Sequence, residues 1–157
     1  MSWVLFTVLN VINFYNSNQQ KPIPLLLSQP NLFIVSNKPT VLIVEDNLDL
    51  AEATRHFLEI KRFRVLISDG KDIQQILKED KPDIIILDIF LGALNGREIC
   101  RELKQNEQTK SIPVIMLSAH DKLSKAYDDD CADGYIMKPF ALAELLEEIQ
   151  LLIKMPV

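Results

Sequence analysis

Four short aliphatic runs recur along the chain: "TVLIVE" (40–45), "FRVLIS" (63–68), "DIIILD" (83–88) and "PVIMLS" (113–118). Each is too short for a typical helix and apolar on both faces of an extended chain. That is how strands read when a parallel sheet is covered on both sides. The intervening segments carry their apolar residues at helical spacing. Asn47 suits an N-cap for a helix presenting Leu50, Ala51, Thr54, Phe57 and Leu58. Asp69 to Glu79 aligns Ile73, Ile76 and Leu77, and Gly96 to Gln105 aligns Ile99, Cys100 and Leu103. After a short fifth strand, "GYIM" (134–137), the last helix carries the stripe Leu142, Leu145, Leu146, Ile149, Leu152 and Ile153. Strand and helix in alternation with short links predict an α/β fold, a doubly wound parallel sheet. Ligands of such sheets bind beyond the carboxyl ends of the strands, where strand order reverses.

Composition narrows the function classes. A chain of 157 residues, 48% hydrophobic and 25% charged, can bury one core of ordinary size. Seventeen basic against 22 acidic residues give a net charge of −5 with no Lys/Arg run, so direct nucleic-acid binding is not expected. Cys100 and Cys131 form neither a CxxC nor a Cys/His metal spacing and read as two unpaired thiols of a cytoplasmic protein.

Residues 1–37 differ from the rest. "MSWVLFTVLNVINFYNSNQQ" has no charged side chain, yet its apolar part is too short and too Asn-interrupted for a membrane span, and it lacks the basic start of a secretory signal. "KPIPLLLSQPNLFIVSNKP" holds four of the eight prolines. The expected organisation is a flexible N-terminal extension over 1–37, or a start assigned too early, followed by one domain over 38–157.

Polar residues gather at the predicted carboxyl ends of the strands. The first ends in Glu45 and Asp46, the third in Asp88, the fourth in Ser118, and the fifth runs into Lys138-Pro139. Carboxylates drawn into one pocket repel one another, so their pKa values rise or a cation joins them. An oxygen-only ligand set with open positions suits Mg²⁺. Lys138 is then a compact positive charge for a phosphate oxygen, and Ser118 a hydroxyl donor.

Four motifs in order, "VLIVEDN", "PDIIILDIFLGALNG", "PVIMLSAH" and "ADGYIMKPF", make residues 38–157 resemble the receiver domain of bacterial two-component response regulators. The resemblance implies a flavodoxin-like fold with strand order 2-1-3-4-5 and five helices, the fourth lying between Ala119 and Ala132. It implies that Asp88 is the phosphoacceptor, modified by a sensor histidine kinase or a phosphotransfer protein, and that the chain is no enzyme beyond its own phosphorylation and dephosphorylation. Asp46 and Asp88 would bind Mg²⁺, with Glu45 helping directly or through water and the Phe90 carbonyl completing the protein ligands. Lys138 would bind the phosphoryl oxygen and pair with the unmodified Asp88, across a cis Lys138-Pro139 bond. Ser118 and Tyr135 would be the switch pair.

Departures from the family pattern accompany these matches. Gly92-Ala93 replaces a common Pro-Gly, Asn95 stands where aspartate is usual, and the segment from Ala119 to Ala132 is short. With its last helix near the C-terminus, the chain is expected to be a stand-alone receiver acting on an unknown downstream protein by docking or relay. Two other readings compete. A haloacid-dehalogenase-type phosphatase wants a second Asp where Phe90 stands, and a receiver-fold binding module would act without phosphorylation. His120 and the run Asp128–Asp130 read as solvated surface.

Overall fold

A computed structural model of the chain describes residues 38–119 and 131–153. Along it run β1 (Thr40–Val44), α1 (Leu48–Ile60), β2 (Arg64–Ser68), α2 (Ile73–Glu79), β3 (Ile84–Asp88), β4 (Phe90–Leu91), β5 (Leu94–Asn95), α3 (Gly96–Gln105), β6 (Val114–Ser118), β7 (Gly134–Met137) and α4 (Leu142–Ile153). Five strands form one parallel sheet in the order β2-β1-β3-β6-β7, and β4 and β5 make a separate antiparallel pair. This is the doubly wound order expected, with four helices among the described residues. The helix expected between Ala119 and Ala132, His120 and Asp128–Asp130 lie outside the described residues, as does the extension 1–37.

Strand periodicity divides the core into two halves. Val41, Ile43, Ile84, Ile86, Ile115, Leu117 and Ile136 face one side, against Ala51 and Leu58 of α1 and Leu145 and Ile149 of α4. Leu42, Val44, Ile85, Leu87, Val114 and Met116 face the other, against Ile73 of α2 and Cys100 and Leu103 of α3. Successive side chains point to opposite faces, so an aliphatic run without polar interruption serves both halves at once. Every residue of β1, β3 and β6 is buried, whereas the edge strands β2 and β7 keep partly exposed positions.

Local signals set most boundaries. The Asn47 side chain accepts a hydrogen bond from Leu50 N at 3.2 Å and caps α1, and Asn95 does the same for α3 through Arg97 N at 3.0 Å. The second helix begins at Ile73, four residues after the Asp69 expected from sequence. Side chains claim the intervening backbone: Gly70 N donates to Ser68 Oγ and Lys71 N to Asp69 Oδ1, while Gly70 takes a left-handed φ of 97°. Ser and Asp compete here with the first helical turn for the same donors.

Candidate functional site

Strand order reverses between β1 and β3, and the carboxyl ends of these two strands carry the acidic residues. Glu45 and Asp46 directly follow β1, and Asp88 closes β3. Ligand oxygens of Glu45, Asp46 and Asp88 all lie within 4.8 Å of one another. Glu45 and Asp88 are buried, 2% and 6% exposed, and Asp46 faces solvent.

Lys138 reaches this cluster from the end of β7. Its Nζ donates to Asp88 Oδ2 and to Glu45 Oε2, each at 2.6 Å. The strand ladder prepares that reach: Ser118 pairs with Met137, and Lys138 N donates to the Ser118 carbonyl at 2.7 Å. The Lys138-Pro139 peptide is cis, as expected. Burial alone would lower the Lys138 pKa, but hydrogen bonds and charges from Asp88 and Glu45 carry it above the usual lysine value. Burial pushes the Glu45 carboxyl up; the Lys138 hydrogen bond opposes this, and the Asp88 charge adds to it. Asp88 Oδ1 also accepts from Phe90 N at 3.2 Å, which fixes the carboxylate against the following loop.

Three carboxylates facing one ammonium leave a formal surplus of two negative charges, the charge of one divalent cation. The donor set is oxygen only, with Asp46 open to solvent, so these residues fit a hard cation that keeps some of its waters. Phe90, expected to lend its carbonyl, begins β4 and is 59% exposed. Ser118 is buried at the end of β6, and Tyr135 is half-buried on β7 against the α2/α3 half of the core. Glu45, Asp46, Asp88, Ser118, Tyr135 and Lys138 therefore lie on β1, β3, β6 and β7 or in the loops leaving them, with Phe90 opening β4.

Sequence reading missed two features. The sequence points Glu45 to the metal alone, yet it is also the second carboxylate on Lys138. Gly96 starts α3 hard against the end of β3, where an added Cβ would stand 2.0 Å from the Asp88 carbonyl oxygen. A glycine just after the capping Asn95, where helix formers are preferred, was the available signal. The Gly92-Ala93 turn, where the family commonly has Pro-Gly, is the tip of the β4/β5 hairpin, with Gly92 at φ 58°.

An apolar groove of about 440 Å³ opens beside Lys138, lined also by Leu50, Ala53, Pro139, Phe140 and Leu142. Exposed Leu48, Phe90 and Met137 stand on the loops and ends that surround the acidic cluster. None of the described helices is long and apolar enough to cross a membrane.

A family model described as the response regulator receiver domain matches residues 41–150. The response regulator MprA of Mycolicibacterium vanbaalenii is 34% identical over 117 residues, and that of Mycobacterium leprae 35%. In both cases the match covers 73% of this chain and 50% of the relative, so the chain spans about half the length of these proteins. Among solved structures, a putative response regulator from Chloroflexus aurantiacus aligns with a TM-score of 0.68 at 27% identity, covering 75% of this chain and 99% of the other. The receiver domain of a signal transduction histidine kinase from Syntrophus aciditrophicus aligns equally well at 29% identity, covering 74% and 90%.

Proposed function

This chain belongs to the response regulator receiver family, and from that premise we propose that Asp88 accepts a phosphoryl group from the phosphohistidine of a sensor kinase or phosphotransfer protein. A carboxylate oxygen of Asp88 attacks phosphorus, the P–N bond to the donor imidazole breaks, and an acyl phosphate forms. The observation that carries this reading is the Lys138 ammonium held 2.6 Å from Asp88 Oδ2 and equally close to Glu45. Transfer of this kind depends on positioning and charge neutralisation more than on proton movement.

Lys138 neutralises the nucleophile at rest. It then has a phosphoryl oxygen to hold, and Glu45 keeps the ammonium in place during the exchange. Glu45, Asp46 and Asp88, with the Phe90 carbonyl, are the residues that would hold Mg²⁺, which when bound supplies Lewis-acid stabilisation of the transferred phosphoryl oxygens. Ser118, at the end of the neighbouring strand, donates its hydroxyl to the phosphoryl group, and Tyr135 moves inward as the switch partner.

The partners are proteins. The apolar groove beside Lys138 and the exposed Leu48, Phe90 and Met137 give a phosphodonor a surface next to the carboxylate. The functional unit is residues 38–157, with 1–37 a dispensable extension, and the site of action is the cytoplasm. Output runs through docking on a downstream protein or through relay.

Incubation with acetyl phosphate, with and without Mg²⁺, followed by intact mass, tests the reading. The expected result is a phosphoryl adduct that needs metal and is lost in Asp88→Asn. An adduct that persists in that variant overturns it.

A further inference from the structure

At the amino-terminal end of the strands, the far end of the sheet from Asp88, two free cysteines meet. Cys100 of α3 is fully buried and Cys131, just ahead of β7, is 9% exposed; both belong to the same half of the core. They pack in one apolar cluster, and the Cys131 side chain is close enough to be among the neighbours that raise the Cys100 pKa. The backbones that carry them are clamped together one helical turn further on. Lys104, four residues from Cys100 and on the same helix face, places Nζ 2.6 Å from Asp133 Oδ2 and 2.8 Å from the Ile112 carbonyl. Asp133, two residues from Cys131, also accepts from Val114 N at 2.7 Å, and its own N–H donates to the Val114 carbonyl. A helical spacing of four thus faces an extended spacing of two, and the pairs Cys100/Cys131 and Lys104/Asp133 are brought together in parallel.

We propose that Cys100 and Cys131 form a redox couple that closes into an intramolecular disulfide on exposure to a peroxide, stapling α3 to the entry of β7. Cys131, the less buried of the two residues, attacks a peroxide oxygen; the O–O bond breaks, one water leaves and a sulfenic acid remains. The Cys100 sulfur then attacks that sulfur, the S–S bond forms, the S–O bond breaks, and the sulfenic hydroxyl leaves with the Cys100 thiol proton as a second water. Two thiols lose two electrons, and the peroxide is reduced by the same two. Burial and the neighbouring Cys131 push the Cys100 thiol well above the usual cysteine range, so Cys131 rather than Cys100 is the sulfur that meets oxidant. Because β7 carries Tyr135 and leads into Lys138, the bond anchors the strand at the end opposite the carboxylate cluster.

The full chain, reduced and then freed of reductant, is treated with hydrogen peroxide under native conditions. It is then digested without reductant and its peptides mapped by mass spectrometry. The expected product is a Cys100–Cys131 linked peptide pair, with an intact mass lower by two hydrogens. It is reversed by dithiothreitol and absent in Cys131→Ser. The oxidised wild type should also need more urea to unfold than the reduced form, and dithiothreitol should remove the gain. Linkage between chains, over-oxidation of Cys131 with Cys100 left reduced, or survival of both thiols in excess peroxide would each overturn the proposal. So would an oxidised form that unfolds in less urea, since the native packing would then not accommodate the bond.

Discussion

Lys138 joins two buried carboxylates, so its removal isolates a pair of like charges. Lys138→Met should slow labelling by acetyl phosphate by about 100-fold, the usual effect of losing one preorganised positive partner at a developing oxyanion. Time courses of intact mass measure this, and an unchanged rate would contradict the role given to the ammonium. Glu45 supplies a pH signature. Its folded pKa lies above the unfolded value of about 4.5, so the folded state binds this proton more tightly than the unfolded chain does. The stability due to that proton is present below the unfolded value and lost as pH rises through the folded pKa. In metal-free buffer, thermal unfolding should show this decline from about pH 4.5 upward, and Glu45→Gln should flatten it. Mg²⁺ should offset the repulsion at neutral pH, adding about 2.7 kcal/mol at a free concentration roughly a hundred times Kd. A midpoint indifferent to Mg²⁺ would argue against the metal site.

Two glycines separate a rigid neighbour from a yielding one at the scale of helices and strands. A Cβ at Gly96 meets the Asp88 carbonyl at 2.0 Å, and neither the buried strand nor the helix start can give way. Gly96→Ala should cost about 3 kcal/mol or more in urea denaturation, because overpacking against backbone moves both elements. A Cβ at Gly134 meets Glu148 Oε1 at 2.5 Å, the free end of a flexible side chain. Gly134→Ala should stay within about 1 kcal/mol of wild type. The helix bounds were legible to different degrees for a related reason. The apolar spacing of Ile99, Cys100 and Leu103 predicts α3 with its observed ends, and the Asn95 cap agrees with that stripe. The start of α2 lies later than the sequence predicts because the Ser68 and Asp69 side chains capture the Gly70 and Lys71 donors, a local contest that apolar spacing does not record.

Among the described residues, both halves of the core are built from positions after Thr40. A chain starting at Lys38 should unfold within about 0.5 kcal/mol of the full protein and take up phosphoryl groups at the same rate. A large loss would mean that residues 1–37 contribute to the core or to the site. The sheet holds its central strands by burial on both faces and leaves its edges, β2 and β7, partly exposed. Lys138 therefore approaches the carboxylates from an edge strand, while Asp88 stands on the central one.

Aliphatic runs of one strand's length, alternating with helical stripes, determine by themselves a parallel sheet with a face of polar residues at its carboxyl end, because only double-sided burial stabilises such runs. The same logic places Glu45, Asp46, Asp88, Ser118 and Lys138 together at that end. Tertiary structure decided how they share charge. That Lys138 would bond Glu45 as well as Asp88 depends on the ladder between Ser118 and Met137 and on the path of the chain after it, separations of 93 and 50 residues that no local pattern encodes. The meeting of Cys100 and Cys131 is of the same kind. Read along the chain they are two unrelated thiols, and only the packing of α3 beside the entry to β7, held by Lys104 and Asp133, makes them neighbours.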